Sequence, residues 1–142
     1  MAKKLVAPRV HALVICEDIE DRWDGDELQD LLGVRTYCGT PIFPFICPQL
    51  CVYMQATGHQ GTARCCVVIV RAENDTEVLR TTEEEIPFTG PLDFIHIRFW
   101  IANCVFPDAG LYYVQVFFDH QLRSERAFDV LASEGEANGR VS

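Results

Sequence analysis

Residues 106–118 read FPDAGLYYVQVFF, an Asp-x-Gly-x-Tyr turn that runs straight into an alternating apolar strand. Asp108 is a turn former, Gly110 is free to take positive φ, and Tyr112 joins an apolar ring to a polar tip. A tyrosine so placed hydrogen-bonds back across its turn and locks the following strand to the opposite sheet of a β-sandwich. Strand pleating then sends Tyr112, Val114, Val116 and Phe118 inward and Tyr113, Gln115 and Phe117 outward.

The flanking sequence repeats this period-2 pattern. Ile95, Ile97, Phe99 and Ile101 alternate with Phe94, His96, Arg98 and Trp100. Residues 49–57 place Leu50, Val52, Met54 and Ala56 against Cys51, Tyr53, Gln55 and Thr57. Strands are also expected over 9–16, 31–38, 62–72, 76–82 and 126–131, with turns at 58–61, 72–75, 87–91 and 119–121. The prolines of TPIFPFICP, residues 40–48, predict an edge or a crossover loop. Residues 27–32 fit one or two helical turns or the start of a strand. Seven to nine strands with little helical periodicity predict an all-β, immunoglobulin-like antiparallel sandwich with Greek-key connections. Residues 1–132 form the single domain and 133–142, nearly devoid of apolar residues, a flexible polar tail.

Length and composition fit a folded domain with a core of useful size: 142 residues, 49% hydrophobic and 11% aromatic. The net charge of −9 repels phosphates and argues against a nucleic-acid partner. No apolar run approaches the roughly 20 residues of a spanning helix. The basic start is interrupted by Pro8, Arg9 and His11 and is read as a first strand, not a signal peptide. A cytoplasmic location and reduced cysteines follow as expectations, and the odd count of seven leaves at least one thiol free.

Several segments together resemble an uncharacterised bacterial family of small β-sandwich proteins known only as a domain of unknown function. They are VHALVICEDI at 10–19, LLGV at 31–34, PQLCVYMQATGHQG at 48–61 and VFPDAGLYYVQVFFDHQLRSERAFDV at 105–130. The resemblance covers most of the chain and implies a compact sandwich without an assigned activity. It supplies no catalytic residues. The chain departs from the pattern around 40–47.

Four candidate sites deserve weighing. Cys38, Cys47, Cys51 and His59 hold metal-ligand chemistry, but only Cys47-x(3)-Cys51 has useful spacing, so scattered thiols are the preferred reading. Asp18, Glu20, Asp21, Asp24, Asp26 and Glu27 offer hard oxygen ligands for calcium, as does the run Glu83-Glu84-Glu85. The spacing of the first does not match the EF-hand template, and a solvated acidic loop is preferred. His11, His59, His96 and His120 lack a nucleophile motif or phosphate loop, so no catalytic centre and no cofactor are expected. The fourth is an outward sheet face carrying Tyr53, His96, Arg98, Trp100, Tyr113 and Phe117, too apolar for a solvated sheet. Three readings compete for it: cover by crossover segments, a partner surface, or a stacking platform for sugars or another small ligand. The preferred function is a non-catalytic interaction or assembly module that self-associates through this face. The alternatives are a carbohydrate- or ligand-binding sandwich and, last, a metal-dependent enzyme.

Overall fold

A computed structural model describes residues 7–21 and 29–133. Eleven strands and no helix occupy these residues: β1 (Arg9–Cys16), β2 (Asp18–Asp21), β3 (Gln29–Leu32), β4 (Tyr37–Thr40), β5 (Phe45–Thr57), β6 (Gly61–Arg71), β7 (Glu77–Arg80), β8 (Glu84–Phe88), β9 (Ile95–Phe106), β10 (Gly110–Phe118) and β11 (Gln121–Ala132).

One sheet has the order β1-β5-β9. The other runs β4-β11-β10-β6, and β7 and β8 share the remaining edge of β6. A separate hairpin pairs β2 with β3. The β5–β6 and β9–β10 connections cross between sheets, so β5 lies between β1 and β9 while β10 lies between β11 and β6. This interleaving is the Greek-key arrangement of an immunoglobulin-like sandwich. Between the sheets, Leu50, Val52 and Met54 of β5 and Ile97, Phe99 and Ile101 of β9 meet Val67 and Ile69 of β6 and Val114 and Val116 of β10.

The corner forms as the sequence predicts. Tyr112 Oη donates to the Asp108 carbonyl at 2.7 Å, and Gly110 takes φ +146°. Arg71 Nη1 reaches Asp108 Oδ2 at 2.6 Å, and its guanidinium lies over the Tyr112 ring. At the far end of β10, Asp119 and His120 both take positive φ, as a two-residue hairpin requires.

Several elements differ from expectation. The strand expected at 31–38 is split into β3 and β4, because Gly33 at φ +66° ends β3 before the chain crosses to the other sheet. There β4 pairs parallel with β11, the exception in an otherwise antiparallel ladder. Residues 18–21, within the acidic segment, form β2. Residues 84–88 form β8 instead of a loop and turn, because the alternation of EEIPF is completed by pairing with β6. The last strand starts five residues earlier than expected, at Gln121. The tail lies outside the described residues apart from Ser133, whose N–H donates to the Thr40 carbonyl.

Proline 48 sits inside β5, not in a loop. It stands opposite Asn103 of β9, between the pairs Cys47–Cys104 and Gln49–Ala102, with no ladder pairing of its own. Asn103 takes φ +52°. Leu50 and Ile101 face the core before this point, and Cys104 and Phe106 face it after, so the pleat is reset by one residue on both strands. Asparagine tolerates the left-handed region, whereas a β-branched residue does not. Asn103→Gly is expected to stay within about 0.5 kcal/mol of wild type and Asn103→Val to lose about 1–2 kcal/mol, read from urea unfolding.

Candidate functional site

The alternation of β9 sends His96, Arg98 and Trp100 to the outer face of the three-stranded sheet, beside Tyr53 of β5. The β2–β3 hairpin folds over part of this face. Ile19 and Leu31 pack on Cys16, Cys51 and Tyr53, and Tyr53 is only 7% exposed. The hairpin's carboxylates then meet the β9 side chains. Arg98 Nη1 donates to Asp21 Oδ1 at 2.8 Å and Trp100 Nε1 to Asp18 Oδ1 at 3.3 Å. The Arg98 guanidinium lies 5.8 Å from the Trp100 ring centroid. Tyr53 Oη is 2.6 Å from His96 Nδ1 and accepts from Gln55 Nε2. Cover by a neighbouring segment therefore holds for Tyr53 and in part for Arg98.

Beyond the hairpin the face stays open. Trp100 is 51% exposed and Phe94 58%, and Val105 pairs with Ile46, both exposed. Strand β9 is also terminal in its sheet: β5 holds one side of its 12 residues, and among the described residues no strand pairs with the other.

Tyr113 and Phe117 do not belong to this surface. They lie on β10, on the outer face of the six-stranded sheet, against Cys66, Val68 and Val70 of β6. The six residues expected on one face thus stand on two opposite faces of the sandwich. Local alternation gives inside versus outside, but the crossover between β9 and β10 decides which outside. A single aromatic platform is not assembled.

The other candidate groups disperse as well. Cys51 pairs across to Cys16 under the hairpin, and His59 packs edge-on to Phe88. Cys38 and Cys47 do converge, with Cys104 rather than with Cys51 or His59. Among the described residues no three His, Cys, Asp or Glu side chains are arranged to hold a metal ion. Asp18 and Asp21 are engaged by Trp100 and Arg98, whereas Asp24, Asp26 and Glu27 lie outside the described residues. Glu83 faces Arg64 and His120, and His11 bonds Thr57. Among the described residues, none of His11, His96 and His120 is joined to a carboxylate and a nucleophile at once.

An open cleft of about 300 Å³ lies where β5 passes β4 and β11, lined by Glu17, Arg35, Cys38, Cys47 and Phe128 among others. Arg35 Nε donates to Glu17 Oε2 at 2.9 Å across its mouth. Sequence reading missed this cleft because residues 33–36, which carry Arg35 there, read as strand.

Burial pushes the thiols of Cys51, Cys65 and Cys104 up to about 12 from an ordinary value of 9.0. A raised folded-state value means that the unfolded chain loses these protons first. Stability is then fully present below about pH 9 and is lost as pH climbs towards 12. The urea midpoint is expected to fall steadily between pH 9 and 11 under reducing conditions. A flat profile would contradict the burial of these thiols.

Among the described residues no helix is long and apolar enough to cross a membrane. The fold has solved counterparts. An alkylpurine DNA glycosylase from Pseudomonas fluorescens, bound to DNA containing an abasic-site analogue, matches with a TM-score of 0.52 at 10% identity, over 88% of this chain and 30% of that one. The chain therefore spans under a third of that enzyme. An immunoglobulin-like protein from Pseudomonas aeruginosa matches with a TM-score of 0.44 at 14% identity, over 87% of this chain and 96% of that one. No curated protein matches significantly. A family model covers residues 11–131, and the chain belongs to that family, DUF6941, a family of unknown function.

Proposed function

We propose that this domain is a non-catalytic assembly module that pairs with a second copy of itself along the free edge of β9. The observation that carries the reading is a 12-residue edge strand, unpaired on one side among the described residues, with half-exposed Trp100 at its middle. A long unpaired edge is a template for another strand unless charge, proline or a bulge blunts it. Strand β9 has no proline, and its kink at Asn103 lies towards one end. Antiparallel pairing about a two-fold axis through Trp100 is self-complementary. It sets Arg98 opposite Ala102 and His96 opposite Cys104, so no like charges meet. The 10% identity to the glycosylase supports a shared fold alone, and the net charge of −9 favours a protein partner over nucleic acid.

Light scattering over a concentration series, in reducing buffer, tests the reading. A mass that climbs to twice the chain mass of 16.1 kDa supports it. A monomer throughout the micromolar range overturns it.

A further inference from the structure

Seven cysteines look scattered in the sequence, yet the ladder places four of them in two cross-strand pairs on β5. Cys16 stands opposite Cys51, and Cys47 stands opposite Cys104. Directly opposed residues of antiparallel strands have Cα atoms about 4.5–5.5 Å apart, within the span of about 4.4–6.8 Å that a disulfide bridges. All seven thiols are free. The two pairs differ in access. Cys16 and Cys51 are fully buried beneath the β2–β3 hairpin, whereas Cys47 is only partly buried and lines the open cleft. Arg35, ion-paired with Glu17, lines the same cleft.

We propose that Cys47 and Cys104 are a modification site, closed to a disulfide by exchange with a small-molecule disulfide such as oxidised glutathione. The Cys47 thiolate attacks one sulfur of the oxidant, forms a mixed disulfide and releases one glutathione thiolate. The Cys104 thiolate then attacks Cys47 Sγ, the mixed disulfide breaks, and the second glutathione thiolate leaves. Two protein thiols lose two electrons and two protons, and one oxidised glutathione becomes two reduced ones. Access makes Cys47 the entry point. Burial raises both thiols, so the reaction is slow at neutral pH and accelerates up to about tenfold per pH unit towards pH 9.

Native protein is incubated with oxidised glutathione at pH 7, 8 and 9, acid-quenched, alkylated after unfolding and mapped by mass spectrometry. The expected product is a Cys47–Cys104 cross-link with Cys16, Cys38, Cys51, Cys65 and Cys66 alkylated, and a rate that climbs with pH. Cys104→Ser is expected to stop at one glutathione on Cys47, and Cys47→Ser to take up none within the cleft. Circular dichroism verifies that each variant is folded. A Cys38–Cys47 bridge, prior closure of Cys16–Cys51, or fully alkylated wild-type protein at pH 9 overturns the proposal. Because wild type alone gives the decisive map, a variant that fails to fold does not shield it.

Discussion

Replacing Phe106 by alanine is expected to destabilise the domain by about 3–5 kcal/mol. The ring is fully buried and is the meeting point of three others: Tyr112 at 4.9 Å, Phe128 at 5.8 Å and Phe45 at 6.4 Å between centroids. These rings come from β10, β11 and β5, so the void would open between the sheets and beneath the tyrosine corner at once. Neighbours held by backbone ladders on both sides have little freedom to collapse into it. Tyr112→Phe is the finer probe. It keeps the ring but removes the hydroxyl that donates to the Asp108 carbonyl, for an expected loss of about 1 kcal/mol. Urea unfolding followed by fluorescence should order the midpoints as wild type, Tyr112→Phe, then Phe106→Ala. Against a typical total of about 5–15 kcal/mol, the alanine variant forfeits a large share. A loss below about 1 kcal/mol would mean that Phe106 is not the aromatic hub.

The corner and the strands around it were legible in the sequence because their determinants are local. Asp108, Gly110 and Tyr112 act within five residues, and the alternation of β9 and β10 is a one-face burial signal. The elements misread were those whose identity depends on a distant partner. EEIPF becomes β8 only because the Gly61 to Cys65 half of β6 is left open beyond β7. Pro48 is tolerated within β5 because it faces the left-handed Asn103 where neither needs a ladder bond. Neither residue announces the other across fifty-five positions.

The candidate site was legible by half. Strand pleating identified Arg98 and Trp100 as outward, and so they are. It also identified Tyr113 and Phe117 as outward, but a sandwich has two outsides, and the sheet change between β9 and β10 is not written in local pattern. The cover over Tyr53 was hidden for a related reason. Asp18 and Asp21 read as solvated acid, while Ile19 between them packs against Cys16, Cys51 and Tyr53. The cysteine pairs were out of reach because they require the register of three strands.

Trp100→Glu is expected to weaken self-association by about a thousandfold while the domain stays folded. Truncating a central aromatic anchor of an interface costs about 2 kcal/mol or more, and a two-fold interface carries every substitution twice. Inside the monomer Trp100 contributes less: it is 51% exposed, with the Arg98 stacking and one long bond to Asp18 as its polar contacts. A new carboxylate there would sit beside Asp18, so a stability loss of about 1 kcal/mol is expected and is read separately by thermal unfolding. Ala102→Lys gives an independent version, because Ala102 is exposed on the same face and lysine on an edge strand is a known deterrent to pairing. With Trp100 on the axis it would also bring the new cation against Arg98 of the second copy. Tyr113→Ser, on the opposite face, is the control and should leave the association constant unchanged. If Tyr113→Ser abolishes association while Ala102→Lys spares it, the interface lies on the outer face of the six-stranded sheet, and β9 is an edge that the monomer leaves open.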